Sequence, residues 1–91
     1  MAMISEWLKI DEERVVQGLQ EAGQRLDSIE GEVALDFSSV RRLDATALKA
    51  MEEFAGIADD KSVRVVLRAV HVAVYKVLKL VKLTSRFSFV N

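Results

Sequence analysis

Cysteine and proline are both missing from this 91-residue chain. Without thiols there is no disulfide framework and no thiolate metal site, and a reducing compartment is expected. Only four glycines occur, singly, at Gly18, Gly23, Gly31 and Gly56. They build no glycine-rich phosphate loop, linker or repeat. No apolar run reaches the roughly 18 residues of a membrane-spanning helix, so membrane insertion is not expected. The first ten residues lack the basic start and long apolar stretch of a signal peptide. A cytoplasmic protein is the expectation.

Acidic residues are also missing from one part of the chain. Residues 61–91 contain no Asp and no Glu, yet carry Lys61, Arg64, Arg68, Lys76, Lys79, Lys82 and Arg86. All 14 acids lie in residues 1–60, against six bases there, so the front carries a balance of −8 and the back +7. The formal net charge of −1 conceals this division. A small protein with two oppositely charged sectors is suited to meeting charged surfaces, its own or a partner's.

What is present alternates between strand and helix. Residues 4–10 predict a strand, with Leu8 and Ile10 on one face and Trp7 and Lys9 on the other. Trp7 then either packs under a helix or stands exposed as an interface anchor. Asp11 reads as an N-cap, followed by Glu12 and Glu13 where the helix dipole favours acids. Val15, Leu19, Ala22, Leu26 and Ile29 form one apolar stripe on a helix over 12–28, and Gly31 reads as its stop. Residues 32–37 predict a buried strand, 38–43 a loop, and Asp44 a second N-cap with Leu43 and Leu48 as its staple. Ala47, Leu48, Met51, Phe54, Ala55 and Ala58 give the second helix its inner face, and Gly56 reads as an end. A third strand follows at 63–67. Val70, Val74, Val77, Leu78 and Val81 then define a helix over 70–82, and 87–90 a last strand. The fold class is therefore α/β: one small domain over 1–91, with about four mainly parallel strands alternating with three helices through right-handed crossovers. Functional groups are expected where the strands' carboxyl ends lead, at Asp11, 38–44 and 68–71. Crossover helices on opposite sheet faces would make the molecule electrically polar.

No catalytic constellation accompanies this pattern. Asp36 and Asp44 form a conceivable carboxylate pair, but no nucleophile or metal motif joins them. His71, the only histidine, falls at the start of the third helix as an N-cap or a partner contact. No enzyme activity, cofactor or metal is predicted. Lys76, Lys79 and Lys82 form a basic contact stripe without interleaved acids, self-repelling unless another surface neutralises it. A nucleic-acid partner is not expected, because the pI is about 5.8 and no aromatic residues for stacking accompany the lysines.

Residues 33–40 (Val-Ala-Leu-Asp-Phe-Ser-Ser-Val), then Leu43-Asp44-Ala45-Thr46-Ala47-Leu48, the strand at 63–67 and the helix pattern Val74-x-x-Val77-Leu78-x-Leu80 resemble a STAS domain. This is the fold of the anti-sigma-factor antagonists, and the likeness is strongest over 33–87. It implies a non-catalytic regulatory module that works by protein–protein contact. The implied partner-binding residues are Ser38, Ser39, Asp44, Ala45, Thr46, Lys49 and Glu53. An anti-sigma factor or kinase is the implied partner. The family's motif is typically Asp-Ser-Ser/Thr-Gly, and a partner kinase phosphorylates the Ser directly after the Asp. Here that position is Ala45, which has no hydroxyl, and Thr46 is the one candidate phosphorylation site left in the motif. Family members usually begin with a β-hairpin, whereas here there is room for one strand before the first helix. Another branch serves phospholipid-transport ABC systems as a small cytoplasmic subunit docked on the ATPase. A scaffold module that self-assembles through the two charged sectors, as a homodimer for example, is the remaining alternative.

Overall fold

A computed structural model describes residues 4–90. Four strands, β1 (Ile4–Lys9), β2 (Glu32–Asp36), β3 (Arg64–Arg68) and β4 (Ser88–Val90), alternate with three helices, α1 (Val15–Arg25), α2 (Ala45–Asp60) and α3 (Val72–Leu80). The strands pair in sequence order, β1-β2-β3-β4, and every pair is parallel. The predicted class holds, with the sheet wholly parallel. Short 3-10 turns at Glu12–Arg14 and Leu26–Ser28 bracket α1, so the helix expected over 12–28 is regular only in its middle.

Register assigns the two faces. Leu8, Leu35, Leu67 and Phe89 lie abreast in one row, and Trp7, Ala34, Val66 and Ser88 in the next. The first row packs with Leu19, Leu26, Phe54, Met51, Val74 and Leu78, drawn from all three helices, in one core. Burying each such large side chain is worth roughly 1.5–3 kcal/mol. Ala34 and Val66 are buried but stand outside that core. All three helices therefore cover one face of the sheet, and the other carries none. The expectation of helices on opposite faces fails. A sheet built in strand order with crossovers of one hand puts every helix on the same side.

The open face is sheltered by long side chains instead. The Arg68 guanidinium lies 4.6 Å from the centroid of the Trp7 ring, reaching across β2 where Ala34 is small. Trp7 is 48% exposed, so it does not pack under a helix. Arg64 donates to Ser88 Oγ at 3.0 Å and lies 4.0 Å from Glu32.

The helix ends depart from the glycine reading. Gly56 lies inside α2. The true ends are Schellman motifs: Val63 N–H bonds Ala58 O and Ser62 N–H bonds Asp59 O after α2, while Leu83 N–H bonds Leu78 O and Lys82 N–H bonds Lys79 O after α3. The left-handed residues are Ser62 (φ 57°) and Lys82 (φ 63°), neither of them glycine. Because α3 stops at Leu80, Val81 is 47% exposed and does not belong to the inner arc.

Candidate partner interface

The carboxyl ends of the strands converge on the loop over 37–44. Phe37 and Val40 are fully buried and Leu43 is partly so, which roots the loop in the core. Val40 N–H closes a turn onto Phe37 O at 2.9 Å. Ser38, Arg41, Arg42, Asp44, Ala45 and Thr46 are left exposed on its crest, with Ser39 half-buried.

Four hydrogen bonds fix this crest. Asp36 Oδ1 accepts from Ser38 N–H at 2.9 Å. Glu12 Oε1 accepts from Arg41 N–H at 2.9 Å, tying the loop to the start of the α1 segment. His71 Nε2 donates to Ser38 O at 2.8 Å, tying it to the start of α3. Asp44 Oδ1 accepts from Ala47 N–H at 2.7 Å, the N-cap bond of α2. The backbone N–H of Ser38 holds the Asp36 carboxyl below its ordinary range. The Ser38 hydroxyl and the charges of Lys9 and Arg68 add to this, against a desolvation that opposes it.

Asp44 is therefore the cap that its position implied. Asp11 stands at the N-cap position in extended conformation, but its side chain makes no cap bond. His71 also occupies an N-cap position without capping, because its ring is committed to Ser38 O. Asp36 and Asp44 each accept from a backbone N–H, and so act as loop fasteners. Ser38 and Ser39 lie on the loop and Asp44, Ala45 and Thr46 at the start of α2, with Lys49 one turn along the helix. Glu53 lies elsewhere, on a shallow hollow between α1 and α2 with Gln20, Gly23 and Ile57. The fastening roles of Glu12 and His71 went unread in the sequence. Each acts across about thirty residues, and no local spacing records such a bond.

Beside the crest, a cleft of about 240 Å³ runs between the starts of α1 and α2. Arg14, Arg42, Glu12, Glu13 and Asp44 rim it. Its walls carry both signs of charge, which suits a polar segment of another protein better than an apolar ligand. Among the described residues no group of three or more His, Asp or Glu side chains could hold a metal ion. No helix among them is long and apolar enough to cross a membrane.

The family model that matches is that of the STAS domain, over residues 2–91. Among solved structures, a Thermotoga maritima protein described as a candidate anti-sigma factor antagonist superposes with a TM-score of 0.72 at 18% identity, covering 98% of this chain and 75% of that one. A variant of RsbS from Moorella thermoacetica gives 0.76 at 18% identity, with 99% and 82% covered. A chain from the stressosome, described as a signal integration and transduction hub, gives 0.73 at 19% identity, with 98% and 84% covered. Among curated protein sequences none matches.

Proposed function

The chain belongs to the STAS domain family, and from that premise we propose that it is a non-catalytic regulatory module that binds a protein partner through the crest of the 37–44 loop and the first turn of α2. The observation that carries this reading is the fastening of an exposed polar crest to three different elements, by Glu12, Asp36 and His71. A crest so held presents Ser38, Ser39, Asp44, Ala45 and Thr46 in one arrangement before a partner arrives. Pre-organisation of that kind lowers the ordering cost of binding. Anti-sigma-factor antagonists and a stressosome chain among the structural neighbours favour a signalling partner, an anti-sigma factor or its kinase.

Ala45 is exposed at the first position of α2, directly after its cap. In the family motif that position carries the phosphorylated serine. The module is therefore not switched there, and it binds constitutively or under control exerted on its partner. Incubation with a cognate kinase should leave residues 44–48 unmodified by mass spectrometry. Phosphate on Thr46 would show that the loop is switched after all.

Ala45→Glu tests the contact itself. It sets a second negative charge beside Asp44 on the crest, where repulsion and desolvation should weaken partner binding by ~1–3 kcal/mol. The partner is first captured from the native cell with the wild-type chain, and the variant is then titrated against it. Equal affinity for the two chains, with folding unchanged, would move the contact surface away from this loop.

A further inference from the structure

Of the seven cations after Asp60, three are neutralised within the chain: Lys61 by Asp27, Arg64 by Glu32 and Arg86 by Asp59. Arg68 rests on Trp7. Lys76, Lys79 and Lys82 pair with no acid among the described residues. Lys76 and Lys79 flank Leu80, which is 81% exposed. The unneutralised charge and the most exposed leucine thus share one end of α3. Like charges at this spacing repel, so the face is better satisfied covered than bare.

The opposite pattern lies on α2. Ile57 is 40% exposed, with Glu53 four residues before it and Asp60 three after. Both acids are exposed, and neither is paired among the described residues. Beside Ile57 the α1–α2 hollow, about 50 Å³, is lined by Gly23, Ala50 and Phe54. A Cβ on Gly23 would lie 3.6 Å from Ile57 Cδ1, an ordinary contact distance, so Gly23 and Ile57 face each other across that hollow. An added Cβ on Gly56 would meet nothing within 4 Å, so α2 is uncrowded at the position before Ile57. An acidic pair around an exposed isoleucine on α2 therefore matches a basic pair beside an exposed leucine on α3.

We propose that these two faces are mutual: Leu80 of one copy seats against Ile57 at the Gly23 hollow of a second copy, with Lys76 and Lys79 opposite Glu53 and Asp60. A second copy is favoured over an unrelated acidic partner because both complementary patterns are present on this one chain. The contact is heterologous, and donor and acceptor lie on different helices of each molecule. Every copy therefore offers both faces, and association builds rings or filaments. The crest of the 37–44 loop takes no part, so this assembly stands or falls separately from partner binding.

The test is sedimentation velocity of the full chain over a concentration series. At low salt the mass should exceed the 10.2 kDa of one chain. It should fall towards the monomer at ~1 M salt, where the screening length is only about 3 Å. The doubly reversed variants K76E/K79E and E53K/D60K should each be monomeric alone, and an equimolar mixture should regain the wild-type distribution. Leu80→Ser should also be monomeric. All five positions are exposed, so each variant should keep the wild-type circular dichroism spectrum. A wild-type chain that stays monomeric at every concentration overturns the proposal. So does a mixture that fails to reassociate, or a Leu80→Ser variant that assembles like wild type. A monomeric wild type that binds phosphatidylglycerol vesicles through the same lysines overturns it in favour of a lipid surface.

Discussion

Asp36 carries more of the site than its place at a strand end would imply. Its carboxylate accepts the Ser38 N–H, and that bond, with Lys9 and Arg68 alongside it, depresses its pKa. A carboxyl whose pKa is lowered on folding stabilises the folded state fully above its unfolded value. That stabilisation is lost as pH falls through the lowered folded value. The loop's anchorage should therefore hold at neutral pH and fail as pH drops below about 4, near the ordinary value for aspartate. Urea unfolding of wild type and Asp36→Asn across that range checks the sign. The variant should be the less stable at neutral pH, and the two curves should converge in acid. Curves that stay parallel would show that Asp36 does not bind its proton differently on folding. His71 fastens the same segment from the other side, and removing one such bond typically costs about 0.5–1.5 kcal/mol. His71→Ala should accordingly speed hydrogen exchange in the 38–41 segment while leaving the β2 amides protected.

At the scale of elements, the apolar spacings of the first two helices and the Asp44 cap read truly, while the end expected at Gly56 and the outer positions of the third helix's arc did not. The stripe Val15, Leu19, Ala22, Leu26, Ile29 is buried in full, as are Ala47, Met51, Phe54, Ala55 and Ala58 on α2, whereas Leu48, expected on the same face, is only partly buried. Burial follows periodicity because it is set residue by residue along one helix face. Helix ends answer to a different rule. Ser62 and Lys82 take the left-handed conformation where glycine is customary, and neither residue type announces it. For a residue with a Cβ that conformation costs about 1–2 kcal/mol. Part of that cost should be recoverable: Ser62→Gly and Lys82→Gly should each stabilise the fold by about 1 kcal/mol, after the entropy that glycine itself loses. Thermal unfolding of the two single variants and the double would show it. A lowered midpoint in either would mean that the native side chain makes a contact outweighing its strain. The opposite sign is expected at the other end of α2. Asp44→Ala removes the bond to Ala47 N–H and should destabilise by about 1 kcal/mol.

For the molecule as a whole, the α/β alternation was legible while the layering was not. Strand and helix periods show in Val33 to Phe37 or Val74 to Leu78 without any long-range information. Which sheet face a crossover covers depends on strand order, and nothing local to Leu35 or Leu67 encodes that order. The charge division was legible too, but its resolution was not. Lys61, Arg64 and Arg86 meet acids from distant segments, which leaves the excess concentrated on α3. The strand order has a further consequence, for synthesis on the ribosome. Leu35 of β2 needs Leu8 of β1, Leu67 of β3 needs Leu35, and Phe89 of β4 needs Leu67. Each strand after the first finds its earlier neighbour already made, and an exposed edge waits only for the next strand to be translated. The chain should therefore gain protection in the order in which it is made. Pulse proteolysis of stalled nascent chains should find the β1–β2 segment resistant before β4 has emerged. Resistance appearing all at once, only after β4 is released, would mean that the sheet closes in a single step despite being laid out for growth strand by strand.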